Sequence, residues 1–269
     1  MNSPRVIVTR PERDARRWVE SLQQRGLQAE ALPLIDIYAL PDSPAVQEAW
    51  RTLDSYAALM FVSGNAADSF FASNQASAHV EHGEAAINSG ANSPRFMAPG
   101  PGTVAALATA GVPAARIDAP AADAAQFDSE ALWSLVGQRE WRGKRVLIVR
   151  GQSAGAEAGA GANGRDWLAQ QWRAAGAEVE FLAVYQRKAP VFDAAQRQTI
   201  ERAARDGSVW LFSSSEAVAH LPPQDWSQAR AIATHPRIAE AARAAGWGVV
   251  AESRPALEDI VASIESMQP

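Results

Sequence analysis

The stretch RVLIVR at residues 145–150 repeats the stretch RVIVTR at residues 5–10 almost letter for letter. Each apolar run is followed by a helical pattern that closes on a glycine, Gly26 in the first copy and Gly176 in the second. A second strand-like run follows each glycine, so each copy predicts a βαβ unit. Two such units roughly half a chain apart indicate a duplicated α/β architecture.

The two copies differ just beyond their second strands. Counting from the two glycines, Tyr185 falls where the first copy has Ile35. Tyr185 is one of only three tyrosines in the chain. It could pack in a core, or its phenol could donate a hydrogen bond or proton to a leaving group. The sequence alone leaves both interpretations open.

Later segments of the chain repeat the middle. The run WLFSSS at residues 210–215 matches LMFVSG at residues 59–64, and residues 231–246 match residues 96–111 without a gap. Strands that alternate with helices in this way predict parallel sheets with helices on both faces. The repeats are compatible with two consecutive domains and also with one domain inserted into the other.

Composition narrows the class of protein. A length of 269 residues with 47% hydrophobic residues predicts one large or two ordinary globular domains. No run approaches the roughly 20 apolar residues that span a bilayer, and Arg5, Arg10 and Glu12 interrupt any signal peptide. The absence of cysteine excludes disulfides and thiolate chemistry, and the net charge of −5 argues against a general nucleic-acid binder. We therefore expect a cytoplasmic protein.

The residues just past the predicted strands are the candidates for ligand binding, because parallel sheets bind ligands beyond the carboxyl ends of their strands. Nearly all of them are small, hydroxylated or basic: Arg10, residues 63–65, residues 100–103, residues 150–151, residues 213–215 and residues 235–237. Free amides and helix N-termini in such loops favour anions. Any single serine or threonine among them could equally be a helix cap.

Glycine-rich and histidine patterns elsewhere in the chain are weak evidence for a binding site. Residues 100–105 and 159–164 fit glycine-rich dinucleotide patterns, but neither directly follows the first strand of a βαβ unit. His79 and His82 lie near glutamates in a small-residue segment without a third histidine or a cysteine nearby. We therefore expect neither a dinucleotide site nor a metal site.

Seven stretches together resemble the uroporphyrinogen-III synthases, in the order of that family and over nearly the whole chain. They are VIVTRP (6–11), PLIDI (33–37), FVSGNA (61–66), APGPGTVAAL (98–107), VLIVRG (146–151) with GRDWL (164–168), GAEVEFLAVYQR (176–187) and WLFSSSEAV (210–218). The resemblance implies two similar flavodoxin-like α/β domains with parallel sheets, joined by a two-stranded connector, with the active site in the cleft between them. The expected domains are residues 1–36 with 188–269, and residues 37–187.

The resemblance also implies the reaction. It is the cyclisation of hydroxymethylbilane to uroporphyrinogen III in haem biosynthesis, with loss of water, inversion of ring D and no cofactor. The substrate carries eight carboxylates, which suits the loops identified above. A monomer with transient contact to hydroxymethylbilane synthase, and without nucleic-acid or membrane partners, is the expectation. A two-domain protein that only binds a small polycarboxylate is the alternative.

The family's cleft tyrosine maps onto Tyr185, which the resemblance makes the catalytic residue. Its Gly-x-x-Thr loop maps onto residues 100–103, whereas the matching loop of the other domain has Ile238 where threonine is common. This departure makes the neighbouring Arg237 a candidate partner for carboxylates. The segments 72–94 and 154–164 are longer than the family's pattern. The predicted substrate-binding residues are Arg10, Ser63, Asn65, Gly102, Thr103, Arg150, Ser214 and Arg237.

Overall fold

A computed structural model describes residues 4–40, 43–76, 93–121, 123–124, 126–153 and 163–267. Most of the two long segments expected at 72–94 and 154–164, namely residues 77–92 and 154–162, lies outside the described residues, as do His79 and His82. In the part of the chain that the structure describes, no helix is long and apolar enough to cross a membrane.

Strands and helices alternate along the described chain. The strands are β1 (Val6–Val8), β2 (Ala29–Ala31), β3 (Asp36–Ala39), β4 (Ala58–Phe61), β5 (Arg95–Met97), β6 (Ile117–Asp118), β7 (Arg145–Ser153), β8 (Glu178–Lys188), β9 (Val209–Phe212), β10 (Arg230–Ala233) and β11 (Val249–Glu252). The helices are α1 (Glu12–Gln24), α2 (Pro44–Arg51), α3 (Gly64–Ala76), α4 (Pro101–Thr109), α5 (Ser129–Val136), α6 (Asn163–Ala174), α7 (Ala194–Ala203), α8 (Ser215–Ala219), α9 (Pro236–Ala244) and α10 (Leu257–Ser266).

The chain forms two compact units, Met1–Ile37 with Lys188–Pro269, and Tyr38–Arg187. The first unit contains a five-stranded sheet in the order β11-β10-β9-β1-β2. Its strands pair in parallel, and β1 and β9 are buried along their whole length. Numbered along the chain within this unit, the order is 2-1-3-4-5, which is the flavodoxin-like order.

The second unit contains a six-stranded sheet in the order β3-β8-β7-β4-β5-β6. If β7 is numbered first, the five strands β8-β7-β4-β5-β6 also read 2-1-3-4-5, so this unit is a circular permutation of the first. The direction of winding reverses between β7 and β4. Ligands of open parallel sheets bind beyond the carboxyl ends of the strands at such a reversal. The predicted α/β class with two parallel sheets is confirmed.

The two repeated βαβ units are alike at their ends as well as in their strands. At the start of the strand pair, Arg5 binds Glu30 at 2.9 Å in the first copy and Arg145 binds Glu180 at 2.7 Å in the second. After each helix, Gly26 and Gly176 adopt the left-handed region, with φ of 78° and 86°. A residue with a side chain is strained in this conformation, so glycine ends these helices with the least backbone strain.

Aromatic side chains fill much of both cores. In the first unit Trp226 stacks on Trp247 with ring centroids 4.7 Å apart, and Trp210 meets both rings edge-on. In the second unit Trp50 stacks on Phe70 at 4.4 Å. Large buried rings contribute most of the apolar area that stabilises small sheets.

Strand β8 runs unbroken from Glu178 to Lys188, because it pairs with the long strand β7. The edge strand β6 has only two residues and follows a short 3₁₀ turn, Ala114–Arg116.

Asp118 provides a test of what holds the edge strand β6. Its side chain is 6% exposed and accepts hydrogen bonds from Arg95 and Arg139, each at 2.6 Å. Burial alone would raise the pKa of Asp118, but the hydrogen bonds from the two arginines outweigh it and lower the pKa from 3.8 to about 2.

We expect Asp118→Asn to lower the free energy of unfolding at pH 7 by about 2 kcal/mol, less than for a fully buried pair because both arginines are partly solvated. The lowered pKa means that the carboxylate stabilises the fold above pH 4. Its contribution is lost as the pH falls towards 2, so the free energies of unfolding of wild type and variant should converge there. Denaturant unfolding at several pH values measures this. Glu258→Gln, which removes a surface ion pair with Arg25, is the control and should have little effect. An Asp118→Asn penalty that persists at pH 2 would contradict this account.

Candidate functional site

The catalytic residue predicted from the resemblance, Tyr185, lies in the second unit on β8. It is 3% exposed, and its hydroxyl oxygen lies 3.2 Å from Ser63 Oγ, within hydrogen-bond distance. Ser63 follows β4, and β7 lies between β4 and β8 in the sheet. The phenol therefore extends across β7 to the position where the winding of the sheet reverses. The ring is buried, as a packing tyrosine would be, but its polar end meets another hydroxyl at this reversal.

Ser63 also begins helix α3. Its Oγ accepts a hydrogen bond from the Ala66 backbone N–H at 3.2 Å. A serine hydroxyl has one hydrogen to donate and can accept more than one bond. With Ala66 donating to it, Ser63 still has its own hydrogen available for Tyr185. The pair can therefore form a directed chain, from the Ala66 N–H through Ser63 to the phenol oxygen.

The other predicted residues of the second unit gather at the neighbouring strand ends. Asn65 is partly buried in the first turn of α3, and Thr103 is buried in the first turn of α4. The two helix starts approach closely, because a Cβ placed on Gly64 would lie 3.3 Å from the Gly102 carbonyl oxygen. Ser63, Asn65, Gly102 and Thr103 thus lie beside the carboxyl ends of two adjacent strands, β4 and β5.

Arg150 lies near the carboxyl end of β7. It is only 8% exposed, and its guanidinium carbon lies 4.4 Å from the centroid of the Phe181 ring. Among the residues that the structure describes, none forms a hydrogen bond or an ion pair with its side chain. Burying a charge without a partner is costly. The cation–π contact with Phe181 offsets a part of this cost.

Arg10 occupies the matching position after β1 in the first unit. Its guanidinium carbon lies 4.6 Å from the centroid of the Trp18 ring, and its Nε is buried without a hydrogen-bond partner within the described ranges. Burial lowers the pKa of Arg10 from its ordinary value, and the nearby charge of Asp14 offsets only part of the shift. Both arginines thus rest on aromatic rings without an ion pair in the described structure.

The arginines at the opposite ends of the same strands are paired. Arg5 contacts Glu30 and Asp206, and Arg145 contacts Glu180. Each repeated strand therefore begins at an arginine with a carboxylate partner and ends near an arginine without one. An arginine without a carboxylate partner in the described structure can bind a carboxylate of a ligand.

Two strand-end loops of the first unit begin helices, and each supplies a helix cap. Ser214 Oγ accepts from the Glu216 N–H at 3.2 Å and begins α8. His235 Nδ1 accepts from the Arg237 N–H at 3.2 Å and begins α9. The Arg237 side chain is exposed, while Ile238, in place of the family's threonine, is buried in the core. His235, like Ser214, is therefore a helix cap in the described structure.

Two features of the site could not be found in the sequence. The first is the aromatic ring under each arginine, Trp18 under Arg10 and Phe181 under Arg150. Trp18 lies on a helix and Phe181 on a strand, so the two rings do not occupy equivalent positions in the repeat. The pairing of Ser63 with Tyr185 depends on strand order, which the repeats left open. Within the described residues no group of three or more histidine, aspartate or glutamate side chains could hold a metal ion.

Comparisons with known proteins agree on one family. The family described as uroporphyrinogen-III synthase HemD matches residues 16–262 of the chain. A uroporphyrinogen-III synthase of Salmonella typhimurium is 28% identical over 253 residues, covering 90% of this chain and 92% of that protein.

Two solved structures share the fold. A mutant uroporphyrinogen III synthase of Thermus thermophilus aligns with a TM-score of 0.56 at 15% identity, over 98% of each chain. The uroporphyrinogen-III synthetase of Helicobacter pylori aligns with a TM-score of 0.56 at 15% identity, over 100% of each chain. At this identity the two structures support the α/β fold alone.

The two capping serines allow a matched test of the site. Ser63→Ala and Ser214→Ala each remove a cap, so each should lower the free energy of unfolding by about 0.5–2 kcal/mol. Only Ser63→Ala also removes the partner of Tyr185, so only this variant should shift the Tyr185 ring resonance in a protein with ¹³C-labelled tyrosine. With three tyrosines in the chain, the resonance can be assigned from Tyr185→Phe. An unmoved Tyr185 resonance in Ser63→Ala would rule out the hydrogen bond.

Proposed function

The chain belongs to the uroporphyrinogen-III synthase family and has that family's lyase activity in haem biosynthesis, and we propose that Tyr185 and Ser63 carry its chemistry. The substrate is hydroxymethylbilane, and the product is formed with loss of water and inversion of ring D. The hydrogen-bond distance of 3.2 Å between Ser63 Oγ and the Tyr185 hydroxyl is the observation that supports this role. The alternative of a protein that only binds a polycarboxylate would need no such pair.

The chemical problem is the departure of a hydroxyl group from the hydroxymethyl carbon. Breaking this C–O bond leaves a cation delocalised over the pyrrole, and the leaving oxygen needs a hydrogen bond or a proton. Tyrosine side chains are in general protonated at neutral pH. A neutral phenol also suits a substrate that is rich in negative charge, because it adds no further carboxylate to the site. Tyr185 donates its hydrogen to the leaving oxygen.

Ser63 strengthens this donation. When Ser63 donates its hydrogen to the Tyr185 oxygen, it draws electron density from the phenol, which becomes a better donor through the chain of hydrogen bonds. The Ala66 N–H, which donates to Ser63 at 3.2 Å, polarises the serine in the same direction. The N-terminus of α3 adds a positive partial charge near the oxygen on which negative charge develops as the hydroxyl group departs. Ser63 is therefore a positioning and polarising residue in this proposal.

The carboxylates of the substrate bind at the strand-end loops of each unit. Arg150 and Arg10 are the main charged partners, since each lies on an aromatic ring without an ion pair in the described structure. Main-chain amides at the starts of α3 and α4, near Asn65, Gly102 and Thr103, supply further donors. Arg237 is exposed and contributes a solvated charge, while Ser214 shapes its loop as a cap.

We also propose that the two compact units are the two domains, residues 1–36 with 188–269 and residues 37–187. Strands β3 and β8, which neighbour each other at one edge of the six-stranded sheet, would form the two-stranded connector. Transient contact with hydroxymethylbilane synthase, the monomeric state and a cytoplasmic location remain predictions. The reaction as proposed needs no cofactor.

Tyr185→Phe tests the proposed chemistry. Loss of a general acid typically costs about 10²–10⁴-fold in rate, and we expect a loss towards the low end because this substrate also closes spontaneously. Substrate affinity should change much less, and the type I isomer should accumulate. A coupled assay with hydroxymethylbilane, scored for the ratio of type I to type III product, measures this.

The matched control for Tyr185→Phe is Tyr56→Phe. Tyr56 is also buried, and its hydroxyl donates to Glu180 at 3.0 Å, beside the start of β7 and far along the sheet from Ser63. This variant should lose some stability and keep normal turnover and type III product. Near-normal turnover of Tyr185→Phe would return Tyr185 to a packing role.

Three arginine variants test the binding of carboxylates. Arg10→Met and Arg150→Met keep an apolar stem on the aromatic ring, so each should weaken substrate binding by about 1–3 kcal/mol through loss of charge alone. Arg237→Met should have a smaller effect that fades with added salt, because its charge is solvated. Arg145→Met, at the other end of β7, is the control and should leave affinity unchanged. Unchanged affinity in all three test variants would leave main-chain amides as the sole carboxylate donors.

A further inference from the structure

Strand β7 continues past the point where its repeat ends. In the first copy β1 ends at Val8, before Arg10 and Pro11, whereas in the second copy β7 continues through Arg150 and Gly151 to Ser153. Gly151 is aligned with Tyr185 of β8, just after an irregularity in the register between Arg150 and Gly151. The glycine and the tyrosine are thus direct neighbours across the strand pair.

Gly151 leaves space that the Tyr185 ring occupies. A Cβ at position 151 would lie 2.2 Å from Cε2 and 2.3 Å from Cζ of Tyr185. Carbon atoms that are not bonded normally stay about 3.5–4.0 Å apart, so the two groups cannot coexist in this arrangement. Either the ring or the strand would have to move.

The backbone does not itself demand glycine at this position. Gly151 is absent from the glycines with positive φ, unlike Gly26 and Gly176. An alanine could therefore adopt the same backbone conformation. The three described atoms nearest to a Cβ at position 151 all belong to the Tyr185 ring, so the ring is the first group that a side chain there would disturb.

From this geometry we infer that Gly151 is a positioning residue for Tyr185. Its lack of a side chain allows the ring to lie across β7, so that the phenol reaches Ser63 on the far side of that strand. The contribution of Gly151 to the reaction rests on the proposed role of Tyr185. Its control of the ring position does not, and the two parts can be tested separately.

The first test follows the ring itself. In protein with ¹³C-labelled tyrosine, Gly151→Ala should shift the Tyr185 resonance and leave those of Tyr38 and Tyr56 in place. Gln152→Ala, the next residue along β7, is the control for a general disturbance of the strand and should leave all three resonances unchanged. An unshifted Tyr185 resonance in folded Gly151→Ala would overturn the inference.

The second test asks whether the ring is the reason that alanine is not tolerated. Gly151→Ala is introduced into the wild type, into Tyr185→Phe and into Tyr185→Ala, and the denaturation midpoint of each protein is measured. The midpoint should fall in the first two backgrounds, which keep a ring, and should stay unchanged in the third. An equal fall in all three would show that β7 needs glycine for its own sake, and would overturn the inference even if turnover is lost.

Turnover provides the link to the reaction. Gly151→Ala should lower turnover by about the same factor as Tyr185→Phe, roughly 10²-fold, and the double variant should be no worse than either single variant. If Tyr185→Phe is fully active, the proposed chemistry fails while the resonance and midpoint tests still decide the role of Gly151. If Tyr185→Phe is impaired and Gly151→Ala is not, the positioning role is wrong.

Discussion

The parallel pairing of β1 with β9 is the constraint on which the rest of the fold depends. Ile7 lies opposite Trp210 in this pairing, and Thr9 Oγ1 donates to the Leu211 carbonyl at 2.7 Å, across 202 positions of sequence. The chain must therefore return to the strand that it left after one βαβ unit. The entropic cost of closing a loop grows only slowly with its length, and an ordered insertion with adjacent ends reduces it further. Strands β3 and β8, neighbours in the six-stranded sheet, provide such ends.

The fold class was predictable because it depends on periodicity and repetition. The match between residues 5–10 and 145–150 predicts equivalent strands, and the structure pairs both of them in parallel with the strand that follows α1 or α6. The glycines that close these helices were equally visible. The extension of β8 to Lys188 was not visible, because its pairing partner, the long strand β7, lies elsewhere in the sequence.

The sequence proposes the residues of the candidate site one by one, but it does not show which of them contact each other. Loop composition identified Ser63, Arg10 and Arg150, because small and basic residues after strands form a local pattern. The Ser63–Tyr185 contact joins positions separated by 122 residues and depends on β7 lying between β4 and β8. Neither this order nor the support of Arg150 by Phe181 has a local signature. Tertiary structure alone brings such pairs together.

The duplication bears on why the proposed chemistry lies in one unit. Both copies keep an arginine near the carboxyl end of the repeated strand, so both can bind carboxylates. Only the second copy combines a tyrosine with a glycine opposite it. The first copy has Ile35 at the tyrosine's position, and Pro11, at the glycine's position, lies beyond the end of β1 and precedes α1. A tyrosine introduced at Ile35 would therefore lack the extended neighbouring strand across which Tyr185 lies. A second phenol that lies across its neighbouring strand would require a longer β1, whereas the second arginine fits the short strand as it is.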